Sequence, residues 1–318
     1  MSTRNYLIIL CIVMGVLSVA GQAEATETYA IIKSKSLRQI DEVITGFQNS
    51  FPEANPAILD LEGNADSRKV KQFIELHQPD VIICLGLLAA KTTIRVEQER
   101  PIIFSMVINY KRYPELRQEN VTGISMEIPP MSLFTQFRLI SPQIHSIGVP
   151  YHPEVSSEIV EEAQAHASQM GIQLIKIAIN DPNTLTAKLK KQQKRIDGLW
   201  MLADTKLYNR NTTAIQDLIR FSQQTQKPIL AFSEAFLKPG AFFSISIDYH
   251  SLGSQLALVA KRIGQDHVQP AQISIAPPIG TYTVINRNVA QQLYENQLDE
   301  SIFDDVDKIF PEDLSDHK

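Results

Sequence analysis

The sequence predicts an α/β protein built as two similar, doubly wound parallel-sheet lobes joined by hinge strands, with a ligand cleft between them. Three observations carry this expectation. Strand and helix patterns alternate along almost the whole chain, which implies parallel sheets covered by helices on both faces. The alternation halts at an apolar strand, residues 101–105, and starts afresh after Pro129-Pro130. Between the two halves runs Asn120-Val121-Thr122-Gly123-Ile124-Ser125, a short extended crossing. A cleft between hinged lobes is suited to trapping a small molecule.

In the first half, residues 29–33 form a short apolar strand. Leu37, Ile40, Val43, Ile44 and Phe47 then recur at three- and four-residue spacing, one face of an amphipathic helix. Ser34 or Ser36 can cap it. Residues 57–61 are a second strand, and Asp66-Ser67 opens a helix buried through Val70, Phe73 and Ile74. Pro79-Asp80 precedes the strand 81–85, apolar at every position as a central parallel strand should be. Gly86 opens the helix 87–96, and 101–105 closes the series.

The second half repeats the pattern. It has a helix at 131–140, a strand at 144–149 and a helix at 153–170 closed by Gly171. Strand 172–178, helix 182–193, strand 198–202, helix 211–226 and strands 228–232 and 241–247 follow. Leu252, Leu256, Val259 and Ala260 mark the inner face of a helix at 249–263. Residues 270–278 are a further extended crossing, and strand 281–285 with helix 287–294 completes the fold. The implied division is a signal peptide (1–25), one lobe (26–123 plus 249–275), a second (124–248 plus 276–298), and an acidic tail (299–318) that docks loosely or frays. Eight acids against two bases fill that tail.

The first residues read as an export signal. Arg4 is followed by an apolar run from Tyr6 to Ala20, and Ala23-Glu24-Ala25 offers a small-x-small cleavage site. The run of about fifteen residues falls short of the ~20 that span a bilayer. Periplasmic material is expected to begin at Thr26, within two residues. Amino-terminal sequencing checks this, and Met1 retained in a membrane fraction would overturn it. Cleavage removes Cys11 and leaves Cys84 alone in an apolar run, so stability rests on core burial without disulfides.

With 30 basic and 35 acidic residues and no basic stripe interleaved with aromatics, nucleic acid is not an expected partner. The chain has no Gly-x-Ser-x-Gly elbow, no phosphate-binding P-loop and no dinucleotide fingerprint. Its seven histidines are scattered, which points away from a metal site. A non-enzymatic binding role without cofactor is the expectation.

In open parallel sheets, ligands bind beyond the carboxyl ends of strands, where helix amino ends offer free N–H groups. That rule nominates Ser34, Ser36, Gly86, Leu87, Ser105, Tyr151, Asp204, Ser233 and Asp248. Asp204 suits a ligand ammonium group or a helix cap equally. Asp248, just before a helix, suits a cap better. Ser34 and Ser36 suit a carboxylate or a cap. Tyr151 and Phe232 suit stacking on a ligand or packing at the hinge, and Trp200, mid-strand, suits the core.

Several segments together resemble a known family. They are Gln78-Pro79-Asp80-Val81-Ile82 before Gly86 and Ala89-Ala90-Lys91, then Pro101-Ile102-Ile103-Phe104 and Asn120-Val121-Thr122-Gly123-Ile124-Ser125. Further on come Asp197-Gly198-Leu199, Asp204, Lys227-Pro228-Ile229, Gly240-Ala241, Asp248-Tyr249, Leu252-Gly253, Asn286 and Ala290. In this order, over roughly residues 28–294, the chain resembles the extracytoplasmic substrate-binding proteins of ABC transporters. The branch is the one with a type I periplasmic-binding-protein fold, whose members include binders of aromatic amino acids. The resemblance implies a periplasmic protein with a small-molecule ligand, possible amino-acid specificity and an ABC permease as partner. A sensory protein acting on a membrane signalling partner is the alternative on the same fold. Leu87 stands where family members commonly carry Ser or Thr, and Asn109-Tyr110 where Asp-Pro is common. With the unusually basic and short first loop, Lys33-Ser34-Lys35-Ser36, these departures imply a less polar first-lobe wall, a different ligand or a pocket that has lost ligand binding. Leu87, Asn109 and the acidic tail lean mildly to the sensory alternative.

Overall fold

The computed structural model describes residues 27–294 and 299–311. The expected export segment and its cleavage site, residues 295–298 and the last seven residues lie outside that range. The first lobe is a five-stranded parallel sheet in the order β2-β1-β3-β4-β5. Its strands are β1 (Tyr29–Lys33), β2 (Ala57–Asp60), β3 (Val81–Leu85), β4 (Ile102–Ser105) and β5 (Val121–Gly123). Helices α1 (Arg38–Ser50), α2 (Ser67–His77) and α3 (Leu87–Val96) link them. Central β3 is buried at all its positions, because helices cover both faces of the sheet. Cys84 lies there, its thiol pushed up to about 12 by burial against a weaker opposing bond to Thr93, and is a core residue rather than a nucleophile.

The second lobe is a seven-stranded sheet in the order β12-β11-β10-β9-β8-β6-β7. Its strands are β6 (Ser146–Tyr151), β7 (Gln173–Ala178), β8 (Gly198–Met201), β9 (Ile229–Ala231), β10 (Phe243–Ile247), β11 (Thr281–Asn286) and β12 (Lys308–Phe310). Helices α4 (Pro130–Ile140), α5 (Pro153–Gln169), α6 (Leu185–Gln192), α7 (Ala214–Thr225) and α9 (Arg287–Tyr294) cover it. All pairs are parallel except β10 with β11. The chain re-enters the sheet beside the end of β10, where Asp248 N–H donates to Gly280 O at 3.0 Å, so β11 must run back along its neighbour.

Several elements differ from the sequence expectation, among them residues 121–123 of the expected crossing, which pair with β4 as a fifth strand. Strand β6 starts at Ser146 because Ile144 closes a turn onto Ser141 O. The Asp197 carboxylate then pins the strand start by accepting from His145 N–H, Ser146 N–H and Ser146 Oγ. The acidic tail, as far as 311, packs rather than frays. Strand β12 pairs with β11, Phe303 is buried, and Asp307 Oδ2 accepts from Thr283 N–H and Oγ1 at 2.7 Å each. The apolar pairs 302–303 and 309–310 anchor it against the charge that surrounds them.

Helix α8 (Tyr249–Gly264) leaves the second sheet and packs on α1 of the first lobe. The two helices meet backbone to backbone. A Cβ added to Gly46 would lie 2.0 Å from His250 O, and one added to Gly253 would lie 2.1 Å from Val43 O. Beside them the crossing segments run together, with Ile124 bridged to Ala276 and Ser125 N–H donating to Ala276 O. Among the described residues no helix is long and apolar enough to cross a membrane.

Candidate functional site

Between the lobes lies an open cavity of about 290 Å³. The first lobe contributes Gln39, Ile108 and Asn109, and the crossing strand contributes Met126, Glu127 and Ile128. The second lobe contributes Trp200, Leu202, Phe232 and Tyr282. Such a lining, mostly apolar and aromatic with a few polar groups, is the usual composition of a small-molecule pocket. A second cavity of about 410 Å³ lies across a wall that includes Asn109, Glu127 and Ile159. Lys111 spans the lobes there, pairing with Glu158 at 3.1 Å and Glu162 at 3.4 Å. Asn109 Nδ2 donates across the same gap to Val155 O at 3.3 Å.

Glu127 is the group with the least settled environment. Its Oε1 accepts from Asn109 N–H at 2.5 Å, while its Oε2 is sealed from solvent without a hydrogen-bond partner. Burial pushes its pKa above the usual glutamate range, outweighing the Asn109 N–H and Ser125 bonds that lower it. A pKa raised on folding means a stabilising contribution complete below the unfolded value and lost as pH rises through the folded one. Above that pH the unliganded protein carries an incompletely partnered charge.

The aromatic wall is held from behind. Trp200 is 3% exposed, and its ring meets Phe134 edge-on at 5.3 Å between centroids, so it serves both core and cavity. Phe232 packs on Phe236 at 4.8 Å. Burial, followed by the nearby Glu234 carboxylate, pushes the pKa of the Tyr282 hydroxyl up. Glu234 itself is exposed at the rim, and its N–H donates to Ser246 Oγ at 2.9 Å.

Of the nine residues nominated from sequence, Ser233 lines this cavity, and its Oγ accepts from Ala235 N–H. Ser34, Gly86 and Leu87 do come together, but at the start of α3. Ser34 Oγ accepts from Ala89 N–H at 3.0 Å and sits where a Gly86 Cβ would be, while Leu87 packs on the first-lobe core. Gly86 has φ +92 and donates its N–H to Ser105 O. Ser36 is tied into a Lys33–Asp60 network. Ser105 donates to Ile124 O, and Tyr151 is buried in the second-lobe core.

Of the two acids Asp248 is a helix cap, whereas Asp204 caps no helix, since the next one starts at Ala214 with Thr213 before it, and instead ties the turn after β8 to the start of α5. Asp248 accepts from Ser251 N–H and Oγ at the start of α8. Burial alone would raise its pKa, but those bonds hold it below the usual range. Asp204, 2% exposed, accepts four bonds: His152 N–H at 2.7 Å, Ser156 Oγ at 2.8 Å, Lys206 N–H at 3.0 Å and Leu207 N–H at 2.9 Å. No lone-pair direction is left on it for a ligand ammonium group, so the ammonium role considered for it from sequence does not fit this geometry.

Sequence reasoning missed Glu127 and Tyr282 and read Trp200 as core, while the strand-end rule that gave Ser233 also points to its neighbour Glu234. The one available signal was Glu127 itself, a lone acid in an otherwise apolar crossing between Ser125 and Pro129.

The fold and cleft define a two-lobed binding protein. The family model for "ABC transporter substrate binding protein" matches residues 32–309, and the chain belongs to that family. Among solved structures it is similar to a conserved domain protein from Vibrio cholerae, at 21% identity and TM-score 0.62, covering 89% of this chain and 99% of that one. It is also similar to an ABC domain from Streptococcus pneumonia in complex with L-Trp, at 21% identity and TM-score 0.59, covering 88% and 99%. A third similarity, at 18% identity and TM-score 0.69 over 84% and 94%, is to the ligand-free, open form of CD0873. That protein is a substrate binding protein with adhesive properties from Clostridium difficile. No curated protein sequence gives a significant match.

Proposed function

We propose that this chain is a periplasmic substrate-binding protein, without enzymatic activity, that closes its lobes on a small molecule and delivers it to an ABC permease. In this reading residues 26–123 plus 249–275 move as one body and 124–248 plus 276–298 as the other. The observation that carries it is the cavity lined from both lobes and from the crossing strand. A ligand favours the closed form only to the extent that it touches both sides, and this lining supplies both. The L-Trp-bound relative supports capture of a small, partly aromatic molecule.

A thermal-shift panel of amino acids, aromatic amines, hexoses and nucleosides tests capture. A true ligand at ~100 times its dissociation constant adds about 2.7 kcal/mol. The same compound should reduce the radius of gyration in small-angle scattering, since closure brings rigid lobes together. No response from any class would overturn the reading. Adjacent genes for a permease and an ATPase are the expected genomic context, and a kinase or cyclase there would move the reading to the sensory alternative.

A further inference from the structure

We infer that the central cavity is built for an aromatic amine carrying net positive charge, rather than for an amino acid or an organic anion. This rests on the capture function proposed above and names its substrate class. The charge distribution along the wall supplies the first argument. Both charged lining residues are acidic, Glu127 inside and Glu234 at the rim, and none of the lining residues is basic. The bases nearby are otherwise engaged. Arg38 is 88% exposed and pairs with Glu42 at 2.8 Å, while Lys308 Nζ stacks on the Tyr282 ring at 4.1 Å.

The donors available to a ligand carboxylate form the second argument. Asn109 has committed its backbone N–H to Glu127 and one of its two side-chain N–H groups to Val155 O. The Tyr282 hydroxyl lies beside the acidic Glu234. What remains is neutral donors, the hydroxyls of Ser233 and Tyr249 and the side-chain amides of Gln39 and Asn109, beside two acidic side chains and no basic one. A zwitterion would place its carboxylate there without a cation to balance it. An amine meets the opposite situation, with Glu127 one hydrogen bond short. The terminal torsion of Glu is broad, so its carboxylate can turn toward a bound ammonium group. Trp200, Phe232 and Tyr249 line the cavity, and aromatic rings attract cations and stack on an aromatic body.

Titration calorimetry on the full chain tests this with three matched probe pairs: tryptamine and phenethylamine, tryptophan and phenylalanine, indole-3-acetate and phenylacetate. The amines should bind at least tenfold more tightly than the amino acids, and the acids should not bind. Glu127→Gln keeps the shape and should weaken amine binding tenfold or more, with the unliganded melting temperature unchanged or higher. A purely structural Glu127 would instead lower that melting temperature and leave amine affinity intact, which overturns the inference. Equal or tighter binding of the amino acids or acids overturns it as well. Silence from this series beside a hexose or nucleoside hit defeats the amine assignment but leaves capture standing, whereas silence from every class defeats both.

Discussion

Gly253→Ala is expected to destabilise the first lobe by about 3 kcal/mol or more, the upper end of what overpacking costs. At that position a methyl group would sit 2.1 Å from Val43 O and 2.6 Å from Phe47 N. Both obstacles are backbone atoms of α1, so no side chain can rotate away. Helices α1 and α8 would have to part by on the order of 1 Å, loosening the packing of Phe47, Leu252 and Leu256 on both sides of the contact. Gly253→Val should go further and prevent the lobe from folding. Thermal unfolding checks this, with a fall in Tm of roughly 6–12 °C for the alanine variant. Gln48→Ala, on the exposed face of α1, should leave Tm within experimental scatter. A Gly253→Ala protein that melts like the parent would mean that the two helices do not meet as closely as described.

The same helix shows how much of the fold was legible. Leu252, Leu256, Val259 and Ala260 announced its inner face, and all but the half-buried Val259 are buried. The sequence did not say that the closest contact is made by the glycine between them, because a glycine leaves no mark in an apolar periodicity. The alternation of β and α was legible for a physical reason as well. Strands such as β3, sandwiched between helix layers, must be apolar on both faces, and such runs stand out.

The binding site was much less legible. Rules for parallel sheets point to Ser, Asp and Gly at strand ends, but helix amino ends recruit the same residue types in the same places to satisfy their own N–H groups. Ser34 and Asp248 are used in that way here, and Asp204 is spent likewise on the N–H groups of a turn. The cavity instead draws on Ile108, Glu127, Trp200, Phe232 and Tyr282, which lie far apart in sequence and share no periodicity. Trp200 illustrates the difficulty, since a mid-strand tryptophan reads as core, and only the placement of the opposite lobe turns its other side into a wall.

The second large effect is expected at Asp204. Its carboxylate joins the loop after β8 to the first turn of α5, accepting two donors from each side. Asp204→Ala removes four charge-assisted bonds and strands the N–H groups of His152 and Leu207 away from water. Each buried donor left unpaired costs ~1–3 kcal/mol, so a total of about 3–5 kcal/mol is expected. The neighbouring Lys206–Glu154 pair, exposed on both sides, is screened by solvent and cannot hold the junction alone. Denaturant unfolding should therefore show a markedly lower midpoint. Variant protein that does fold should still respond to whichever compound of the thermal-shift panel stabilises the parent. The opposite pattern, an unchanged midpoint with the ligand response lost, would restore Asp204 as the partner of a ligand ammonium group. The four donors that saturate its carboxylate argue for the stability effect.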